Sequence, residues 1–525
     1  MESYWLTGLT FLPLLGALFV MLQSDDRSTW RAAAAFSFIP LAISLYLLAR
    51  FDPHQAGYQF IERYQWIPQF GISYHLGMDG ISLFLVVLTT LLMSLSLIYS
   101  GGGDIGFRAR EFCFFMLILE TGLLGALLSI DLFMFYVFWE LMLIPMYFLI
   151  GIWGHGNKVY AAFKFILFTM LGSIFMLVAI LYLVHLAHVQ SGRLSFDLPD
   201  LYDVRLTAAQ AKWLFAGFAI AFAVKVPMWP IHTWLPDAHT EAPTAGSVIL
   251  AGVMLKMGTY GFVRFAIPLF PLIAIQATPL FMALAVIGII YGALVAMVQP
   301  DLKRLIAYSS VSHLGFVMLG LFALDPQGVE GAIYQMLNHG ISTGGLFLLV
   351  GMIYLRRHTR EIAEFGGLWH RIPIFAGIFM VVMLSSIGLP GLNGFIGEFL
   401  IMLGAYLTIP LTVVFAVIGI ILGALYMLYA YERVMFGPIT KAVNDTLSDL
   451  NWREIGVMIP LIVLMLFMGF YPKPILTRIE PSVDAMLSRV RTAQARQENT
   501  SHNTALAAAT ALHSTNQWHS SISPQ

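Results

Sequence analysis

Apolar stretches of roughly twenty residues recur along nearly the whole of this chain, each long enough to cross ~30 Å of hydrocarbon as a helix. They lie near 4–22, 30–49, 77–99, 111–130, 131–151, 160–186, 211–241, 244–267, 277–298, 302–324, 331–355, 373–407, 409–435 and 454–472. In lipid every backbone N–H and C=O must find its partner inside the protein, so such a chain folds as packed helices. The composition agrees, with 59% of the 525 residues hydrophobic, 11% charged and a mean hydropathy of +0.80. An ordinary soluble domain is about one quarter charged. The expected fold is therefore an all-α polytopic membrane protein with about fourteen transmembrane helices.

Several function classes drop out early. The first segment, YWLTGLTFLPLLGALFVML, has no basic flank before it, and Asp25 and Asp26 follow it with no small-residue cleavage site, so it reads as a retained helix. The single cysteine, Cys113, leaves no cysteine-based metal or iron–sulfur site. No strand followed by a Gly-rich turn and a helix announces a dinucleotide. A net charge of −1 and scattered arginines give no footprint for nucleic acid.

Loops after odd-numbered segments hold most of the Lys and Arg, among them Arg108, Arg110, Lys158, Lys303, Arg304, Arg356, Arg357 and Arg360. The opposite set has mainly Arg63, Arg193 and Arg205 in its two longest loops, plus the tail. The positive-inside rule then puts the first set in the cytoplasm and both termini outside. The polar stretch 485–525 is expected to be a disordered or weakly helical tail.

With lipid as solvent, ionisable residues deep in the spans become informative. Glu140, Lys225, Lys256, His313, His339 and Glu398 all sit well inside apolar runs. One such charge costs about 3 kcal/mol on insertion scales, so these residues are expected to face the bundle interior or a hydrated cavity, to be paired, and to mark a proton or ion path. A lone intramembrane histidine often serves only as a hydrogen-bonding group between helices. Lys164 lies a few residues into its helix and is read as a lysine snorkelling to the interface. Asp131 begins its segment and is read as a helix cap.

Prolines supply the second pattern. Pro227 and Pro230 follow Lys225 directly and break the seventh span. Pro390, with Gly388, Gly391 and Gly394, breaks the twelfth span shortly before Glu398. Discontinuous helices in corresponding positions point to an inverted-repeat transporter with its site at midplane. The offset of five spans maps Glu140 onto His313, which gives two inverted five-helix repeats, segments 4–8 over 111–268 and segments 9–13 over 277–435. Helices 1–3 occupy 1–110, and helix 14 with its following segment occupies 454–484. Ser309 and His313 are four apart, as are Asn338 and Ser342, and Thr343 lies four beyond His339. These polar groups, with Ser310 and Ser312 and ordered water, are expected to join the six ionisable residues into one axis.

The runs FWELMLIPMYFLIG, FAVKVPMWPIHTWLPDAHTEAPTAGSVILAGVMLKMGTYG, DLKRLIAYSSVSHLGFVMLG, NHGISTGGLFLLVGMIY and GLPGLNGFIGEF resemble the antiporter-like membrane subunits of respiratory complex I, the proton-pumping NADH:quinone oxidoreductase. The resemblance covers essentially residues 1–480 and favours the branch with glutamate in the broken twelfth helix. It implies that Glu140 and Lys225 form an ion pair and that Lys256 is the connecting lysine. His313 and His339 become relay positions, and Glu398 the terminal acidic group. It further implies a bacterial inner-membrane protein with no cofactor of its own. Flavin, iron–sulfur clusters and quinone would belong to partner subunits, both membrane and peripheral.

Three other readings use parts of the same pattern. A subunit of a multi-subunit sodium/proton antiporter shares the motifs and lacks redox partners, and membrane-bound hydrogenase complexes use similar subunits. A lysine-centred axis favours protons over sodium, because an ammonium repels a metal cation. A haem-bearing quinone-reactive anchor would use His313 and His339 and would leave Lys225, Lys256, Glu140 and Glu398 unexplained.

Overall fold

The structure, a computed structural model, describes residues 4–520, and the surroundings of side chains as far as residue 499. The last five residues of the expected tail lie outside the described residues. Among the described residues, eleven helices are long and apolar enough to cross a membrane, and three shorter apolar helices accompany them.

In chain order the first helices are α1 (Trp5–Met21), α2 (Asp26–Arg50), α3 (Gly80–Ser100), α4 (Ala109–Leu128), α5 (Leu132–Leu141), α6 (Leu143–Trp153), α7 (Lys158–Ser191), the short α8 (Leu198–Leu201), α9 (Ala208–Lys225) and α10 (Trp234–Glu241). Next comes a span of three α-helical pieces, α11 (Thr244–Ile249), α12 (Leu255–Gly261) and α13 (Ile267–Leu269), joined by π-helical turns at Leu250–Met254 and Phe262–Ala266. The remainder is α14 (Pro271–Met297), α15 (Leu302–Phe322), α16 (Pro326–Arg357), the short α17 (Leu368–Arg371), α18 (Pro373–Ser386), α19 (Asn393–Thr408), α20 (Pro410–Met435), α21 (Trp452–Phe470) and α22 (Lys473–Ser520).

Burial sorts these helices. The apolar windows of Thr244–Leu269 and Pro326–Arg357 are 100% buried inside the chain, whereas those of α2 and α20 are 28% buried. The first two carry Lys256 and His339, so those groups sit where no lipid reaches. The outer helices turn residues such as Leu167, Leu171, Val414 and Ile421 outward, as a hydrocarbon solvent requires.

Two features depart from the expectation. Between α2 and α3 lies an antiparallel hairpin, β1 (Gln59–Ile67) and β2 (Ile72–Met78). It is tied to the helix ends by polar side chains. Glu62 accepts from the backbone N–H groups of Leu6 and Thr7 at 2.7 and 3.0 Å, and Ser73 donates to Asp197 at 2.7 Å. Asp131 caps α5 as expected, accepting from the N–H groups of Phe133 and Met134 at 2.9 and 3.0 Å. The second departure is the tail, which is helical through Ser520. The first half of α22, which starts ahead of the tail and runs into it, buries Ile475, Ile479, Val483, Met486, Leu487 and Val490 against the bundle. Those positions repeat at helical spacing and form one apolar stripe, so a segment too polar to cross lipid still has a face to bury.

The same end of the molecule is tied by a buried pair. Arg264 donates to Asp79 Oδ2 at 2.8 Å, and Asp79 also caps α3 through Ile81 and Ser82. Burial alone would raise the Asp79 carboxyl; the Arg264 guanidinium outweighs it and holds the group below the usual carboxylate range.

Candidate functional site

Both expected breaks are present. α9 ends at Lys225 and α10 starts at Trp234, so Pro227 and Pro230 stand in the non-helical link. The helix end left open there is satisfied from across the link, where the Trp234 indole N–H donates to the Val224 carbonyl at 2.9 Å. Pro390 stands in the link between α18 and α19, where Gly388 and Gly391 take φ of 74° and 93°. Gly388 is also needed for space, because a Cβ there would lie 3.1 Å from Glu398 Oε2.

Four of the six ionisable residues meet in a series. On α12, Lys256 is fully buried, and its Nζ lies 2.6 Å from His339 Nδ1 on α16. The ammonium also donates to the Ala251 carbonyl in the π-helical turn one step before it. The rings of His339 and His313 stand 5.8 Å apart between centroids, across α16 and α15. His313 Nδ1 lies 3.1 Å from Glu398 Oε1 on α19. The same carboxylate oxygen accepts from Gln335 Nε2 at 3.1 Å.

The polar shell around Glu398 also holds the break in shape. Asn338 donates to Gln335 Oε1 at 2.9 Å and to the Asn393 carbonyl at 2.8 Å, and Ser385 donates to Asn393 Oδ1 at 2.5 Å. Sequence reasoning did not single out Gln335, Asn393 or Ser385. A signal existed for Gln335, which stands four residues before His339 on the same helix face.

The other end of the row is open. Glu140, on the last turn of α5, and Lys225, the last residue of α9, are near enough to interact by charge, yet no ion pair within 4.0 Å joins them among the described residues. The expected contact pair is corrected accordingly. The Lys225 ammonium instead sits 5.1 Å from the Trp139 ring centre and 5.8 Å from that of Phe165. Aromatic faces carry negative charge density and attract a cation, and Trp139 precedes Glu140 on its helix, so the ring occupies part of the approach. Lys225 Nζ and Glu140 Oε1 are buried with no protein hydrogen-bond partner.

Other expected roles change. Lys164 does not snorkel: its Nζ lies 2.7 Å from Asp237 Oδ2 on α10, with Arg304 3.6 Å from the other oxygen. The acid that draws it inward was hidden in the segment after the break. The serines do not bridge the ionisable groups through direct bonds. Ser309 and Ser310 donate to the Ile306 carbonyl of their own helix, Ser342 to that of Asn338, and Ser312 to that of Ile289. A helical serine readily bonds the carbonyl a turn earlier, which spends its proton locally. Asn338 keeps its place beside the Glu398 shell, and the hydroxyl of Thr343 is buried without a partner.

Glu120 was missed. It lies in the middle of α4 at 0% exposure with neither carboxyl oxygen hydrogen-bonded, and the rule that selects Glu140 would have selected it. Among the described residues, no three His, Cys, Asp or Glu side chains converge as a metal-binding group.

Comparison with known proteins follows this geometry. Residues 129–423 match the family described as NADH:quinone oxidoreductase/Mrp antiporter, transmembrane. Over 492 residues the chain is 46% identical to NADH-quinone oxidoreductase subunit M of Rhodobacter capsulatus, spanning 91% of this chain and 95% of that one. It superposes on a chain of respiratory complex I from Thermus thermophilus, solved with bound NADH, with a TM-score of 0.84 at 33% identity, covering 92% of this chain and 99% of that chain. A chain of the Mrp complex from a Dietzia species has the same fold, with a TM-score of 0.81 at 20% identity and 93% and 99% coverage.

Proposed function

We propose a function from one premise: the chain belongs to the NADH:quinone oxidoreductase/Mrp antiporter family of membrane proteins, in the line of NADH-quinone oxidoreductase subunit M. It is a proton-translocating membrane subunit of that oxidoreductase. Redox chemistry on other subunits drives it, and flavin, iron–sulfur clusters and quinone reside there. The complex lies in a bacterial inner membrane, with the arginine-rich loops cytoplasmic and both termini periplasmic. The segments 111–268 and 277–435 act as two inverted repeats, a reading supported by the two breaks lying five spans apart.

The observation that carries the reading is the series Lys256, His339, His313, Glu398 on four helices, with contacts of 2.6 and 3.1 Å flanking rings 5.8 Å apart. Lysine, imidazole and carboxyl groups each hold or release a proton, and an imidazole can take one on one nitrogen while giving one from the other. At the far end, Glu140 controls Lys225. As the carboxylate approaches, it stabilises the buried ammonium. As it withdraws, the charge has only aromatic faces for company and passes its proton towards Lys256. Because Lys225 Nζ and Glu140 Oε1 have no protein hydrogen-bond partner, the two groups are free to approach or withdraw from each other.

The test is Lys256→Met in the fully assembled complex. NADH-driven acidification of inverted membrane vesicles should be lost while subunit content stays normal. Acidification at the unsubstituted rate in that assembled variant would sink the reading.

A further inference from the structure

The outer surface of the bundle meets lipid, so its apolar hollows take up acyl chains and by themselves select nothing. One hollow differs. It lies between α2, α3, α21 and the start of α22, holds about 540 Å³, and every side chain lining it is apolar except Arg478. A comparable groove between α14 and α20, of about 680 Å³, has no charged lining residue.

The first groove runs inward from the hairpin end of the molecule. α2 lines it from Leu48 back to Leu41, α3 from Phe84 on to Leu91, and α21 from Phe467 back to Pro460. Each stretch rises about 10 Å, so the groove covers most of one ~15 Å leaflet. Its rims face outward, with Leu45 48% and Val463 56% exposed, and its floor is Leu337 and Ile341 of α16, each 3% exposed. A helix 10 Å across would fill about 800 Å³ along that length, more than the groove holds, whereas an acyl chain is far thinner.

Arg478 stands at the mouth. α3 begins there at Gly80 and α21 ends there at Phe470, followed by the exposed Tyr471, the kind of aromatic residue that marks a headgroup boundary. The backbone of Arg478 is fixed against α3. A Cβ at Gly80 would collide with its carbonyl, and the Gly80 N–H donates to Ser482 Oγ at 3.0 Å. The guanidinium itself is only partly engaged. Nη1 donates to the Pro474 carbonyl at 2.7 Å, Nε is buried without a protein partner, and no salt bridge reaches the group among the described residues. The acids of the neighbouring turns, Glu480 and Asp484, act on the charge of Glu330 at the start of α16. An arginine with no acid of its own, at headgroup level beside an apolar groove, leaves one positive charge for a ligand to neutralise. Phosphate suits it, because guanidinium N–H groups match phosphate oxygens in pairs.

We propose that this groove is the site of one anionic phospholipid, its phosphate on Arg478 and an acyl chain laid from Phe467 towards Pro460. The site goes beyond proton translocation and does not depend on it. Leu337 and Ile341 flank Asn338 and His339, so the bound chain closes the outer wall of the helix that carries the axis. Tyr334 keeps that wall in place, its hydroxyl donating to the Met468 carbonyl at 2.7 Å and tying α16 to α21.

The experiment places the full complex in vesicles of equal parts phosphatidylglycerol and phosphatidylethanolamine. A trace of one or the other lipid carries a photoreactive diazirine in its acyl chain, and the labelled peptides are mapped after illumination. On the α2, α3 and α21 stretches, phosphatidylglycerol should label about fivefold more than phosphatidylethanolamine, the weight of one arginine beside an anionic lipid. The groove between α14 and α20 should show no such preference. Arg478→Gln, with assembly checked, should abolish the preference at the first groove as well. Equal labelling there in the unsubstituted complex, a preference that survives Arg478→Gln, or no labelling by either lipid would overturn the site. If Arg478→Gln does not assemble, the ratio of the two labels in the unsubstituted complex decides.

Discussion

At the Lys225 end of the buried row, an ammonium rests against the faces of Trp139 and Phe165 and touches no acid. At the Glu398 end, a carboxylate accepts from His313 and Gln335 inside a network that continues through Asn338, Asn393 and Ser385. Both ends stand beside a broken helix, and the breaks are secured differently. The first is held by the Trp234 indole and by the backbone bond from the Met228 N–H to the Ala223 carbonyl, neither of which reaches Lys225 Nζ, and the second by a side-chain network that continues to the ionisable group. Fixed hydrogen bonds hold a carboxylate in one geometry, whereas cation–π contacts are soft and non-directional by comparison. The first end can therefore change state at small cost, and the second is built to receive what the first releases.

The largest effect expected from this contrast is at Glu140. Glu140→Gln removes the acid that acts on Lys225, and proton pumping by the assembled complex should fall at least about tenfold, equivalent to about 1.4 kcal/mol or one pKa unit. Pumping at the normal rate would show the two ends to be equally fixed. Lys225→Arg sharpens the point. An arginine keeps the charge and the aromatic contacts but does not release its proton, so the complex should assemble and still fail to pump. Restored pumping in that variant would mean that charge alone, and not titration, is what position 225 supplies.

At the networked end the expected effect is on stability. Asn393→Ala strips the partner from the Ser385 hydroxyl and should destabilise the second break by about 1–3 kcal/mol, the cost of a buried polar group left unsatisfied. A thermal-stability measurement on the purified complex should show it, with a severalfold loss of pumping. An unchanged melting profile would make the network incidental. The smallest effect is at Lys164. Arg304 remains near Asp237 when the lysine is lost, so Lys164→Ala should cost less than about 1 kcal/mol and change turnover by no more than about twofold. A collapse of pumping would move Lys164 from the periphery to the axis.

Sequence reasoning found the parts of this contrast that stem from lipid as solvent. Buried charges and prolines stand out against an apolar background, which is why Glu140, Lys225, Lys256, His313, His339, Glu398 and both breaks were legible. Contacts between distant segments were not. Whether Glu140 touches Lys225 depends on where Trp139 points, and whether Lys164 snorkels depends on Asp237 more than seventy residues away. The π-helical turns around Lys256 leave no residue signature, because they are one-residue adjustments in hydrogen-bond register. The hairpin and the amphipathic start of α22 were lost for another reason: both lie outside the apolar spans, where the argument from hydropathy stops. Glu120 was visible and passed over.

The most direct test of the central claim is a map of the assembled complex that resolves ordered water between Lys225 and Glu398. The account predicts a hydrated file from Lys225 to Lys256 that continues into the His339, His313 and Glu398 contacts. A dry apolar seal between Lys225 and Lys256 in every resolved state, with Lys225 in permanent contact with Glu140, would contradict it.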